Sequence, residues 1–275
     1  MLLPTIRNIG VLVLGTLSTF SDVLNAYDLS NRLEPTGPLG VTLDYSLAIN
    51  WPQPIDPSDS SSRRHWAFSS HLVFKNTVDQ ITDAQLWQIA RDAATEMEAD
   101  AEQYQISKKR TPNAMGVLAW GNDIILASSQ VGQSSFTYDY KSTPVLESLK
   151  LCQMVWRDNA PFYSEETHGT HRTKGKCAEQ LSAHMYYYIT DIPLQIQHAR
   201  VGVWVRNGKG EWEKRDPCGN PKGDNWGCNL FVADQNLQVL KSDITEEPYD
   251  LATLAGGLDK RDQIQLCSSI REDSA

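Results

Sequence analysis

Ala114-Met-Gly-Val-Leu-Ala-Trp120, then Gly121-Asn122, Asp123 and Ile124-Ile-Leu-Ala127, is the stretch whose reading decides the fold. Two apolar runs flank a Gly-Asn pair, the kind of dipeptide that closes a tight turn between antiparallel strands. Both arms are nearly continuous in apolar residues. That suits strands covered on both faces better than strands with one wet side. Ser128 and Ser129 end the second arm.

Upstream of this hairpin, Thr82 and Gln85 stand at capping-box spacing and predict a helix start. Leu86, Ile89, Ala90, Ala93 and Met97 then recur at helical spacing, with Asp92, Glu96 and Asp100 on the face expected to be exposed. Downstream, 145–155 reads as a helix with Leu146, Leu149, Met154 and Val155 on its apolar side. Cys177 opens another helical pattern through Ala178, Leu181, Met185 and Tyr188. Val201, Val203 and Val205 alternate with Gly202 and Trp204 as in a strand, and Asn207-Gly208 turns it. Asp216 to Pro221 is loop chemistry, 226–240 is apolar at roughly helical spacing, and 251–258 is a weak helical patch. Helices alternating with strands in this order predict a layered α/β domain over 81–275.

The first 80 residues read differently. Residues 27–80 are expected as an irregular lead-in. Within it, Asp56 to Arg64 is the clearest loop in the chain, and His65 to Phe74 is a strand or docking segment. His65 and His71 carry no ligand-type spacing and are read as structural. Residues 1–26 have one positive charge near the start, an apolar run over Ile9–Leu17 and a small residue at Ala26. That predicts a signal peptide and a secreted protein. The alternative is a hydrophobic helix packed on the domain of a cytoplasmic one. No Asn-x-Ser/Thr acceptor occurs, which pulls against secretion. No other stretch is long and apolar enough for a membrane span, so none is expected in the mature chain.

Composition narrows the function classes. The chain has 275 residues and a formal net charge of -9, a poor field for gripping a phosphate backbone. Lys108-Lys109-Arg110 and the Arg172/Lys174/Lys176 group read as solvated surface, although the second precedes Cys177 and could attract an anionic substrate. Five cysteines are sparse for a disulfide scaffold, and the odd count leaves at least one unpaired internally.

The chemistry lies in Cys177, Glu179, Cys218 and Cys228. A thiolate at a helix start is favoured by free backbone N–H groups and the helix dipole. A carboxylate two residues on can reach a water on the same metal without binding the metal. Cys218 and Cys228 follow after one strand and bring the sulfur count to three, the number of protein ligands a catalytic zinc site needs. The alternative is a Cys218–Cys228 disulfide closing a surface loop, with Cys177 as a small buried apolar residue. Cys152 and Cys267 are read as buried or free thiols without a role. His168 and His171 are expected as exposed loop histidines, and His184 as a core histidine. Trp204, Trp226 and Tyr186 to Tyr188 are read as core rather than as base-stacking platforms.

This set resembles the cytidine-deaminase-like superfamily, whose signature is a His or Cys, one residue, then Glu on one helix, with Pro-Cys and a second Cys on the next. The matching residues are Cys177, Glu179, Pro217-Cys218 and Cys228, and the resemblance covers about 82–240. Arg110-x-Pro112, Ala127-Ser-Ser129 and Trp226-Gly-Cys228 are similar to fungal deaminase-like proteins related to bacterial toxin deaminases. One departure stands out. The family's thiol pair is usually separated by two residues, whereas nine, Gly219 to Gly227, intervene here. A loop of that length closes at small extra entropic cost.

The resemblance implies a three-layer cytidine-deaminase-like sheet with helices on both faces. It also implies Zn2+ held by Cys177, Cys218 and Cys228, and Glu179 as the catalytic acid and base. The implied reaction is hydrolytic deamination of a nucleobase, nucleoside or nucleic-acid base. The acidic charge favours a small base or nucleoside over nucleic acid. Two alternatives remain: a secreted, disulfide-containing binding module without catalysis, and an inactive protein that keeps the deaminase fold.

Overall fold

A computed structural model describes residues 27–60, 62–159, 171–219 and 226–267. The signal-peptide expectation for residues 1–26 lies outside the described residues. The described residues form eight strands: β1 (Thr42–Leu43), β2 (Phe68–Phe74), β3 (Ala114–Trp120), β4 (Asp123–Ser128), β5 (Arg200–Arg206), β6 (Trp212–Arg215), β7 (Gln238–Val239) and β8 (Leu258–Asp262). Six α-helices are described: α1 (Tyr45–Asn50), α2 (Asp83–Gln103), α3 (Phe136–Asp139), α4 (Pro144–Asn159), α5 (Ala178–Ile189) and α6 (Cys228–Asp234).

The hairpin sits at the centre of one open, mixed sheet ordered β1-β2-β4-β3-β5-β6. Gly121 takes positive φ, +49°, in the two-residue turn, and Trp120 faces Asp123 across it. β1 and β8 share the outer edge of β2, both antiparallel. β6 and β7 share the outer edge of β5, and the β5–β7 pairing is parallel. Side chains alternate between two cores, as a pleated strand requires. Met115, Val117, Ala119, Ile124 and Leu126 join Leu86, Trp87, Ala90 and Met97 of α2. Leu118, Trp120, Ile125 and Ala127 join Leu181 and Met185 of α5, Leu149 of α4 and Phe231 of α6. Helices therefore cover the sheet on both faces.

Two glycines permit the close approaches that this layering needs. A Cβ at Gly202 would lie 3.0 Å from the Trp87 ring, and one at Gly116 would lie 2.9 Å from the Ala178 Cβ. The second contact seats the first turn of α5 directly on β3.

The capping box of α2 forms as the sequence indicates: the Thr82 hydroxyl accepts from the Gln85 N–H, and the Gln85 side chain accepts from the Thr82 N–H. Several other expectations are corrected. Residues 27–80 form β1 and α1 where an irregular lead-in was expected, carry β2 within the 65–74 stretch read as a strand or docking segment, and bury Leu29, Leu39 and Val41 in the α2 core. Glu96 and Asp100 are buried rather than exposed, because α2 clasps this segment. Glu96 accepts from the Leu39 and Val41 N–H groups, and Asp100 from the Leu43 N–H and the Thr42 hydroxyl. Burial pushes the Asp100 carboxyl up to about 6. Asp44 caps α1 and also accepts from the Leu266 N–H near the far end of the described chain.

The apolar side of α4 is Val145, Leu149, Cys152 and Trp156, while Met154 and Val155 are exposed. The 226–240 segment is helical only to Asp234 and ends in β7. The 251–258 patch is a short 3-10 turn leading into β8. β8 is anchored by His71, whose ring bridges Asp123 and Asp262 at 2.7 and 2.9 Å. No helix among the described residues is long and apolar enough to cross a membrane.

Candidate metal centre

Three chain segments meet beside the N-terminal end of α5. The first is the turn from His171 to Lys176. Its backbone is held by the Ser135 and Thr137 hydroxyls, which donate to the Lys174 and Gly175 carbonyls, and by the Gln130 N–H, which donates to the Lys176 carbonyl. Lys174 and Gly175 take positive φ, +56° and +67°, and turn the chain back on itself. Cys177 follows as the N-cap of α5, and Ala178 packs on Gly116.

The second and third segments carry Cys218 and Cys228. Cys228 is the first residue of α6. The Asn229 N–H donates to the Cys218 carbonyl at 2.9 Å. A Cβ on Gly227 would lie 2.2 Å from that carbonyl oxygen, so only glycine lets the two arms close. The Arg172 N–H donates to the Trp226 carbonyl and ties the His171 turn to the α6 approach. Trp226 is buried and stands edge-on to the His171 ring, centroids 5.1 Å apart. Part of the intervening loop, residues 220–225, lies outside the described residues.

These supports bring His171, Cys177, Cys218 and Cys228 together, with one donor atom from each within 4.8 Å of the others. The Cys177 and Cys218 sulfurs are 3.8 Å apart, those of Cys218 and Cys228 3.4 Å, and Cys228 Sγ is 3.5 Å from His171 Nε2. Four-coordinate zinc with Zn–S bonds of about 2.3 Å sets sulfurs about 3.8 Å apart, so the donor spacing and the soft, sulfur-rich donor set fit zinc. Crowding three thiols also splits their acidities. Hydrogen bonds from Cys177 and Cys228 pull the Cys218 thiol down, while Cys177 and Cys228 are held up, by the Cys218 contact and by burial respectively. Cys218 thus stands between two neighbouring sulfurs.

Glu179 lies in the first turn of α5, buried, with Cys218 and Cys228 among the groups acting on its carboxyl. Burial pushes its carboxyl up to about 7. Gln180, fully buried, reaches both Cys228 Sγ and His171 Nε2, at 3.5 and 3.4 Å.

The four residues singled out in the sequence, Cys177, Glu179, Cys218 and Cys228, lie in one place. The Cys218–Cys228 disulfide expected as the alternative is not formed, and both are free thiols. At 3.4 Å the sulfurs are well beyond the bonded distance of about 2.05 Å. His171, expected as an exposed loop histidine, is buried at 1 % exposure inside the cluster. The signal that could have found it is a histidine six residues ahead of Cys177 across a Lys-Gly turn. His168 lies outside the described residues. His184 is buried against Phe136 of α3, away from the sulfur set in its contacts, and its Nε2 has no hydrogen-bond partner among the described residues. Cys152 and Cys267 are free thiols, both pushed up to about 12 by burial. Trp204 and Tyr186 are core residues, whereas Tyr188 is half exposed.

Comparison with protein-family models, curated proteins and solved structures finds no match to this chain.

Proposed function

We propose that this chain is a zinc-dependent hydrolytic deaminase acting on a nucleobase or nucleoside. One observation carries the reading: Cys177, Cys218 and Cys228 converge from three segments, and a buried carboxyl, Glu179, stands against them. Structural zinc sites need no such carboxylate. Hydrolytic ones need a group that moves protons between water and the leaving group. The fold arrangement supports it too. The hairpin β3–β4, then α5, β5 and α6 follow in order, with both cysteine-bearing helices packed in one core opposite α2. That order of elements supports the deaminase-like reading.

Zinc bound there supplies a Lewis acid that brings the pKa of a water near 7. The remaining work falls to the protein. Cys177, Cys218 and Cys228 hold the ion. Glu179 carries one proton of the attacking water to the ring nitrogen and the other to the amino group, which departs as ammonia. Gly116 and Gly227 fix the approach of the two cysteine-bearing arms. The net charge of -9 supports a small base or nucleoside over a polynucleotide.

The test is zinc content and ammonia release on the same purified sample. We expect one zinc per chain, lost in Cys218→Ser. Glu179→Gln should keep the zinc and lose deamination of cytosine- or adenine-type substrates by about 100- to 10,000-fold. Wild-type protein without zinc, or a fully active Glu179→Gln, would sink the proposal.

A second reading, a disulfide-containing binding module, has one observation in its favour: the 3.4 Å approach of Cys218 and Cys228 lets oxidation join them. Mass spectrometry of native material separates the two, because a Cys218–Cys228 bridge is lighter by two hydrogens and leaves no sulfur pair for zinc.

A further inference from the structure

His171 sits among the sulfurs as if it were a fourth ligand, but its hydrogen bonds give it another part. We infer that His171 is a positioning residue that donates its Nε2–H to the Cys228 thiolate, leaving the protein with three metal ligands, Cys177, Cys218 and Cys228. This rests on the zinc reading above and deepens it.

The other side of the ring fixes where the proton sits. The backbone N–H groups of Thr173 and Gly175 both donate to His171 Nδ1, each at 3.2 Å. A ring nitrogen that accepts hydrogen bonds carries no proton, so the single N–H of the neutral imidazole is on Nε2. Nε2 faces Cys228 Sγ at 3.5 Å. Ligation through Nε2 would require the proton to move to Nδ1, where the Thr173 hydroxyl at 3.0 Å could accept it but two backbone N–H donors would meet it head-on, inside a turn that is itself hydrogen-bonded in place. Such a clash of buried donors costs more than one ordinary hydrogen bond contributes.

The same assignment settles the neighbours. The Gln180 amide nitrogen lies 3.4 Å from Nε2; with Nε2 as a donor the amide exchanges its nitrogen and oxygen, so that its NH2 faces Cys228, which lies 3.5 and 3.6 Å from the two amide atoms. The Thr173 hydroxyl stands between His171 Nδ1 at 3.0 Å and Cys177 Sγ at 2.9 Å, and with Nδ1 served by backbone donors it turns its proton to the sulfur. The Cys228 N–H points at Cys218 Sγ at 3.4 Å. Every sulfur of the set then has its own donor. Three thiolates place three negative charges beside a divalent ion and blunt its pull on an oxygen. One N–H or O–H per sulfur draws part of that charge away, the usual office of residues behind a metal's ligands.

The experiment uses the full chain loaded with zinc, with stoichiometry measured first. A chain that takes up no zinc overturns the metal reading itself, and this inference with it. In a loaded chain, zinc-edge X-ray absorption should show three sulfurs and no imidazole outer-shell scattering. Long-range 1H–15N correlation should place the His171 proton on Nε2. Imidazole scattering, or a proton on Nδ1, overturns this inference alone and makes His171 a ligand. Two variants give an independent reading. His171→Ala should keep one zinc but lose about 10- to 100-fold in affinity. His171→Gln, which retains an N–H donor, should lose less than tenfold. Equal losses in the two variants would count against the donor role.

Discussion

At the scale of single residues, the buried polar side chains divide by whether anything meets them. His71 is met on both ring nitrogens and His171 on both, but His184 Nε2 has no partner among the described residues. Burial alone drives the His184 imidazole down to about 3. A group with a folded-state pKa below its unfolded value near 6.5 contributes stability above 6.5 and loses it as pH falls toward 3. The loss approaches about 1.4 kcal/mol per pH unit across that window. Asp100 runs the other way. Its folded pKa of about 6 exceeds the unfolded 3.8, so it stabilises below 3.8 and that contribution is lost as pH rises through 6. The two oppose each other between about 4 and 6. Replacing His184 by Phe should therefore flatten the acid side of a melting-temperature profile measured from pH 7 to 4. An unchanged acid slope would remove His184 as its source.

At the scale of elements, legibility follows how local the signal is. The β3–β4 turn, the Thr82/Gln85 cap and the alternation of β5 each lie within a few residues, and each appears at the positions read from sequence. β1, β2 and β8 were not legible as a set. Their pairing joins residues far apart in the chain, and Leu-Asp-Lys-Arg-Asp of β8 has no apolar period to mark a strand. The cysteines and Glu179 could be read because a helix start and a thiol announce themselves. His171 could not, since its burial depends on the Lys174-Gly175 turn and on Trp226 some 50 residues later.

The close seat of α5 on β3 makes a prediction at this scale. Gly116→Ala puts a methyl 2.9 Å from the Ala178 Cβ, with the Ala127 carbonyl oxygen and the Val203 side chain each 3.5 Å away. Overpacking of this kind costs about 1–3 kcal/mol. Because Cys177 is the residue before Ala178, zinc affinity should fall with stability. Denaturant melts and a zinc titration on the same variant check both. A destabilised protein with unaltered zinc binding would separate the helix seat from the metal centre.

At the scale of the whole molecule, the metal centre joins residues 171–180 to 218 and 228, which lie on either side of β5 and β6. An ion that binds only the assembled site stabilises the fold by about 2.7 kcal/mol when free zinc is 100 times its dissociation constant. For a chain of this size that is about 5 to 10 °C in melting temperature. A chelator should remove the increment and zinc should restore it. A melting temperature indifferent to both would leave the cluster without a role in folding.

The meeting of β2 with β8 also bears on how the polypeptide is made. His71 and its partner Asp262 are 191 positions apart, and Asp44 waits for the Leu266 amide 222 positions on. During synthesis the N-terminal half emerges with these acceptors and the outer rim of β2 still unanswered. The sheet can be completed only after nearly all of the described chain has left the ribosome. Premature termination before residue 258 would release a species with an open strand edge, prone to pair with its own kind.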